Sequence, residues 1–411
     1  MNTKIKKYIS ALMLLTSVLA TSCIEPPLHL PAQEVKIEMS IDLVVLNNVW
    51  NLESDWEHYW YYGWDNMDRD LWGDIAYPTP TSYEARRYFL GEKPGGPHTN
   101  VDPFTVYGNS FRRTYEFGYY DILLWSNIDS KDGTQVVTIN ESDLEDVKAS
   151  TTVTRGMTRV QSVVGAGSST KLLTGSDPDS TVVVTGLYNQ PEIFYSAYPR
   201  DIYISEHAED YDYYDEQEKC WVKQLHCDLN PNVYIYLVQV IFKNNHGRVV
   251  GTSGNAALSA FSASTNVNTG HTYNDPSMVY FNTRFKKDKL YQLQNVDIIG
   301  GKYTTFGLCD MASCVDAPDH VYSGSRKDLP NYLMVDLSFY NGKEKTYQFD
   351  VTDQCRNQAH GGIITVVIDC DELDIPEDDP SDPSGSLFVP TVEDYEDVVF
   401  EIPLDYTINK K

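Results

Sequence analysis

The sequence predicts an all-β protein made of packed sandwiches rather than a parallel sheet. Three observations carry this. Short runs of apolar residues alternating with polar ones recur along most of the chain. Capped segments with a helical period are scarce. No regular exchange of strand and helix signals marks βαβ units, and turn residues separate the runs instead.

The strand signals can be taken in order. Val35, Ile37, Met39 and Ile41 alternate with polar residues and lead into an apolar run from Leu43 to Leu46. Phe111 to Asn127 holds two runs around Gly118. The second, YYDILLWS from Tyr119 to Ser126, is apolar enough to be covered on both faces. Val136 to Ile139 is a short strand, and Asn140 to Val147, with early acidic residues, predicts a short helix. Residues 150–180 are rich in Ser, Thr and Gly and suggest a domain boundary, although Arg159 to Val164 and Lys171 to Leu173 could pair. A second β region opens at Val182. It includes Ile193 to Tyr198, Asp201 to Ser205 and the clearest strand of the chain, Tyr234 to Lys243. Tyr332 to Tyr340 and Thr346 to Val351 flank Asn341-Gly342, the strongest short hairpin signal. Leu333, Val335, Leu337 and Phe339 then share one face, and Ile363 to Ile368 is a further buried strand.

Two segments depart from this pattern. Trp50, Trp56, Trp60, Trp64 and Trp72 crowd together with Tyr59, Tyr61 and Tyr62 over residues 50–77. Trp56, Trp60 and Trp64 recur every fourth residue and could line one helical face. They are the candidate residues for stacking on a glycan. The alternative is that they bury one another as a packed insertion, since large aromatics exposed together invite aggregation. The other segment, Asp369 to Gly385, is acidic and proline-rich and reads as a linker. After it, Ser386 to Leu404 regains strand character. It could fold back on its own domain or lend a strand to a neighbour.

The N-terminus reads as a targeting signal. Lys4, Lys6 and Lys7 precede a short apolar run from Ile9 to Ala20, and Leu19-Ala-Thr-Ser-Cys23 follows. Small residues before a cysteine resemble the lipobox of bacterial lipoproteins. That resemblance implies a signal peptide over residues 1–22, palmitate-type acylation of Cys23, a tethered linker over 23–33 and an outer-membrane location through the lipid. Several acyl chains would hold the protein firmly, at about 0.8 kcal/mol per buried methylene. The mature chain of about 390 residues has room for two or three domains at about 100–200 residues each.

The formal charge is −27. Nucleic acid is excluded as a partner, because binding phosphates requires clustered lysine and arginine. Six cysteines follow Cys23: Cys220, Cys227, Cys309, Cys314, Cys355 and Cys370. An even number outside the cytoplasm permits disulfides, and sequence neighbours suggest Cys220–Cys227, Cys309–Cys314 and Cys355–Cys370. No metal site is expected, since no C-x-x-C occurs and His226 and His360 lack ligand spacing. The tract Tyr211 to Glu216 offers oxygen ligands but lacks the spacing of a calcium loop. Acid pairs such as Asp68/Asp70 and Glu206/Asp210 belong to no catalytic motif, and no nucleophile elbow, H-E-x-x-H or P-loop is present. The expectation is a non-enzyme with no cofactor.

The order of several short motifs adds a resemblance. Gly118-Tyr-Tyr-Asp-Ile-Leu-Leu-Trp-Ser-Asn is similar to a strand of the fimbrillin-like lipoproteins of Gram-negative gut anaerobes. Gln190 to Ala197, the strand from Val233, Ser253 to Ser264, Thr304 to Gly307 and Phe349 to Gln354 are similar to the second domain of one branch of that family. The similarity spans residues 34–375. It implies two tandem transthyretin-like Greek-key β-sandwich domains, at 34–165 with the aromatic-rich insertion and at 182–375, followed by the acidic linker and tail strand of 376–411. It also implies kinship with fimbrial anchor and accessory subunits or adhesins, with fimbrial subunits or a host or glycan ligand as partners. Fimbriae of this family assemble by strand exchange. Arg155 and Arg159 form no clear processing site, so an uncleaved subunit would sit at a fimbrial base or act alone.

Overall fold

The run Tyr234–Lys243 forms the strand its composition predicts, with nine of its ten residues buried. The computed structural model describes residues 35–43, 56–126, 136–153, 169–173, 181–185, 187–314, 316, 322–325, 329–373 and 375. Within these the regular structure is almost entirely strand, 55% against 7% helix, so the all-β class holds. The chain separates into two units. One comprises residues 1–42, 86–122 and 199–227; the other comprises 43–85, 123–198 and 228–411. Strands choose partners by face and register, not by sequence proximity, so each unit gathers three separate stretches.

The larger unit is built on an eight-stranded sheet. Its path runs Glu344–Asp350, Tyr332–Phe339, Val249–Ser262, Pro276–Tyr291, Gln294–Thr305, Tyr234–Lys243 and Gly362–Asp369, with Leu187–Tyr188 alongside Pro276–Tyr291. All neighbours on the path are antiparallel except Gly362–Asp369, which runs parallel to Tyr234–Lys243. Pro276–Tyr291 turns the corner of the structure. Its residues 276–282 pair with Val249–Ser262, and its residues 283–291 pair with Gln294–Thr305. The sheet therefore curls over itself and encloses one core. Tyr236, Val238, Val240 and Phe242 enter that core from one side and Leu333, Val335, Leu337 and Phe339 from the other.

The Asn341-Gly342 hairpin forms as expected, joining Tyr332–Phe339 to Glu344–Asp350. Gly342 donates its N–H to Phe339 O at 2.9 Å and sits at φ 78°, the left-handed residue of a three-residue loop. A valine there would meet open space but be forced into a conformation that costs an L-residue about 1–2 kcal/mol. Gly342→Val is expected to lower the melting temperature by roughly 2–8 °C with the strand dichroism intact. An unchanged melt would reject this turn geometry.

In the smaller unit, Val35–Leu43 pairs with Ser110–Thr114, from Lys36 opposite Thr114 to Ser40 opposite Ser110. Ile37, Met39 and Ile41 point inward, as their alternation predicts. Gly118 to Tyr120 pairs with Ile202–Ile204. Two smaller expectations fare differently. Lys171 to Leu173 lies in a strand, Ser169–Leu173, whose partner is Thr181–Thr185; Arg159 to Val164 lies outside the described residues. Asn140 to Val147 is not a helix. The Asn140 and Asp143 side chains accept the N–H groups of Ser142 and Glu145, and these local bonds replace the helical ladder.

Candidate interaction surfaces

The second face of the Tyr234–Lys243 strand carries Leu237 and Ile241, and the tryptophan-rich segment covers it. Trp60, Tyr62, Trp64 and Trp72 pack there with Tyr291, Val296 and Ile298 from the neighbouring hairpin. Helical spacing of the tryptophans is not realised. Helix Trp56–Tyr59 stops before Trp60, Gly63 turns at φ 73°, and Asp65 caps a separate helix, Asn66–Trp72. Trp60 is 3% exposed and donates its indole N–H to Gly63 O at 2.8 Å, so its face is closed to a sugar. Trp64 is half-buried, 5.4 Å from the Trp72 ring. Trp56 belongs to the helix by its backbone. The packed alternative describes Trp60 and Trp72.

Three devices lock this layer down. Gln239, the one polar residue of the buried run, is fully enclosed. It donates to Tyr59 O and Thr365 Oγ1 and accepts the Tyr62 N–H. Gly300 leaves room for the Tyr62 ring, which a Cβ would meet at 2.5 Å. The third is ionic. Asp68, wholly buried, accepts from Tyr62 Oη at 2.9 Å, Asp65 N at 2.8 Å, Arg284 Nη1 at 2.7 Å and Lys286 Nζ at 2.5 Å. Asp65 binds the same two cations, and the Lys286 ammonium lies 3.9 Å from the Tyr62 ring centre. Burial acts to raise the Asp65 carboxyl, but the bonds from Lys286 and Arg284 outweigh it and hold it well below the usual range. Asp68 is thus saturated, while Asp70 is exposed.

The acidic tract from Tyr211 is likewise occupied by the protein. Asp215 and Glu218 bind Arg112 at 2.7 and 3.1 Å, and Tyr213 Oη donates to Glu38 at 2.7 Å. The bond from Tyr213, assisted by Arg112, lowers the Glu38 carboxyl. This hub ties Val35–Leu43 and Ser110–Thr114 to the 213–222 hairpin of the same unit. Among the described residues no group of three His, Cys, Asp or Glu side chains is placed to hold a metal.

The expected disulfides are corrected. All six cysteines are buried and none is bridged. Cys220 and Cys227 lie on one strand, where seven steps span about 23 Å, far beyond the roughly 7 Å limit for a bridge. Cys309 packs with Ala257, Ala260 and Met278, whereas Cys314 belongs to the main core. Gln354 fixes the helix of Cys355 beside Thr365, while Cys370 follows the far end of that strand. The thiols serve as small apolar filling. Burial raises Cys314 to about 11 and Cys370 to about 12. All six are expected to resist maleimide at neutral pH and to react in denaturant without reductant. A need for reductant would restore the disulfides.

The residues of the sequence resemblance hold architectural positions. A Cβ at Gly118 would meet the Phe89 ring at 2.7 Å and Gly91 O at 2.8 Å. Asp121 is buried and accepts from His98 Nε2 at 3.0 Å and Asp201 N at 2.7 Å. Thr304 Oγ1 donates to Pro191 O at 2.9 Å. Cys23 and the segment from Ser386 to Leu404 lie outside the described residues.

These features define an all-β protein whose buried polar side chains are spent on packing. Comparison with solved structures finds several at low sequence identity. One is a candidate adhesin from Bacteroides ovatus, at 12% identity over 83% of this chain and 94% of that one, TM-score 0.44. Another is the fimbrial anchor protein Mfa2 from Porphyromonas gingivalis, at 13% identity over 81% and 90%, TM-score 0.35. A third is the tip fimbrial protein Mfa3 from the same organism, truncated at its C-terminus, at 10% identity over 77% and 81%, TM-score 0.28. No protein-family model and no curated protein matches the chain.

Proposed function

We propose that this chain is a lipid-anchored, non-catalytic outer-membrane protein of the fimbrillin-like kind, serving as a fimbrial anchor or accessory subunit or as an adhesin. The observation that carries the proposal is the ordered set of fimbrillin-like motifs, whose residues occupy positions the architecture needs. Gly118 cannot carry a side chain, Asp121 clamps the turn at Asp201, and Gln354 bonds both backbone groups of Thr365. A likeness resting on such residues is a likeness of scaffold, and the part played by such a scaffold is to present its surface to partners. The glycan-binding alternative keeps Trp64 but loses Trp60, whose ring is enclosed.

Affinity purification of the tagged full-length protein from its native cells, after gentle membrane solubilisation, tests the proposal. Polymeric fimbrial subunits are expected in the eluate, and protease shaving of intact cells should remove the protein. An eluate without fimbrial subunits, together with glycan-array binding that Trp64→Ala abolishes, would replace this reading with the glycan one.

A further inference from the structure

The long hairpin of Pro276–Tyr291 and Gln294–Thr305 ends in a turn made of unfavourable residues. Tyr291 pairs with Gln294, so Gln292 and Leu293 alone make the loop, at φ 47° and 68°. A turn that is left-handed at both central positions normally takes Asn-Gly. A γ-branched side chain there is sterically costly, and backbone strain of this sort tends to collect where a segment has a task besides stability. The contrast lies within the same unit, where the 332–350 hairpin places glycine at its left-handed position. Leu293 is also 93% exposed, the highest value for any large apolar side chain among the described residues, and Leu290 is 63% exposed.

The surroundings of the tip have a defined character. Lys286 to Asn295 holds three lysines and one aspartate, in a chain with 59 acidic and 32 basic residues. Lys286 is committed to Asp65 and Asp68, which leaves Lys287, exposed, and Lys289, half-buried, beside the tip. Asp288 and Asp297 are the acids nearest in the hairpin, and Asp297 accepts the Asp288 N–H. Between the two leucines in the chain, Tyr291 stands edge-on to Tyr61 at 4.7 Å with the Lys243 ammonium 5.4 Å from its ring centre. Exposed leucines at a tip, a tyrosine closing the loop, and lysines further down the strand whose long stems let the charge reach back to water are the side chains found where protein crosses from water into lipid.

We propose that the Gln292–Leu293 tip docks into the surface of a phospholipid bilayer, with Leu290 and Leu293 at the acyl boundary and Lys287 and Lys289 among the headgroups. The proposal rests on the lipid-anchored reading, because two leucines insert only weakly by themselves. A tether at Cys23 would keep the bilayer at high local concentration and make a weak insertion effective. Docking would then fix the orientation of this unit against the membrane, which a flexible linker alone does not.

The test uses the full mature chain in two forms, lipidated and with Cys23→Ser. An environment-sensitive fluorophore is attached at Leu293→Cys, or at Tyr340→Cys on the tip of the other hairpin as control. Vesicles contain phosphatidylethanolamine and phosphatidylglycerol at about three to one, a mixture chosen to offer the anionic headgroups that lysines favour. With vesicles, emission from position 293 should shift to the blue and be quenched by spin-labelled lipid, while position 340 stays aqueous. In the Cys23→Ser form, Leu290→Ser/Leu293→Ser should weaken vesicle co-sedimentation roughly tenfold or more. An aqueous signal at 293 in lipidated protein that is bound to vesicles would overturn the hairpin and leave the anchor standing. A blue shift at 293 with a chain that keeps Cys23 yet proves to carry no lipid when isolated from its native cells would support the hairpin and refute the anchor. A blue shift produced by a purified fimbrial subunit and not by vesicles would overturn the membrane in favour of a protein groove.

Discussion

Asp68→Ala is expected to destabilise the larger unit by about 3–5 kcal/mol, the usual cost of breaking a buried ion pair from one side. That corresponds to a melting temperature lower by roughly 6–20 °C for a unit of this size. The asymmetry of the site produces the effect. Lys286 has a side chain 8% exposed and cannot turn to water, so removing Asp68 leaves it with Asp65 alone, which it shares with Arg284. Tyr62 Oη and the Asp65 N–H lose their acceptor as well. Tryptophan emission should shift to the red at temperatures below the main transition, as the layer of Trp60 and Trp72 loosens. Asp68→Asn combined with Lys286→Met, which removes both charges at similar volume, should recover much of the loss. A single mutant that melts within 1 °C of wild type, about the resolution of a few tenths of a kcal/mol, would mean that the aromatic packing holds without the cluster. The pH dependence has a definite sign. The Asp65 carboxyl is depressed in the folded protein, so its contribution is complete above the ordinary value of 3.8 that it has in the unfolded chain and fades as pH falls toward the lower folded value. The tryptophan layer should therefore loosen below about pH 4 before the core unfolds, and not on the alkaline side.

Legibility in the sequence stops where pairing over distance begins. Tyr234–Lys243 is readable as a strand covered on both faces, because the nine residues from Tyr234 to Phe242, with Gln239 as the single strongly polar member, cannot face water. What covers it is not readable, since nothing local joins Asp68 to a lysine 218 positions away. Gln239 carries a local hint: a lone amide in an apolar run requires polar partners, and these are the backbone of Tyr59 and Tyr62 and the Thr365 hydroxyl. The fourfold spacing of tryptophans suggested a helix because periodicity ignores backbone breaks, and Gly63 followed by the Asp65 cap breaks this one. Pairing cysteines by sequence proximity failed for a related reason, as neighbours on an extended strand move apart by about 3.3 Å per residue. The unusual Gln-Leu turn at 292–293 could have been found from sequence only by noting that a strong strand signal passes through it with no turn residue at all.

Cys23→Ser is expected to move nearly all of the protein from the membrane to the soluble fraction. Lys4, Lys6, Lys7, the apolar run and the small residues before Cys23 motivate this. A single acyl chain gives only marginal binding, with an association constant of about 10⁴ M⁻¹, whereas a second chain makes attachment stable. If Cys23 is acylated as proposed, its loss removes the dominant attachment, and no helix among the described residues is long and apolar enough to replace it. The leucines at 290 and 293 would retain a small, salt-sensitive residue of binding through Lys287 and Lys289. That residue distinguishes two ways of being membrane-associated. Acylation should appear as uptake of labelled fatty acid by wild type and none by the mutant, whatever the hairpin does. If wild type takes up no label and the mutant sediments with membranes as fully as before, the anchor is wrong and association must come from the folded surface. If wild type is soluble too, the segment before Cys23 is an ordinary secretion signal, and a partner subunit rather than lipid would have to hold the protein at the cell.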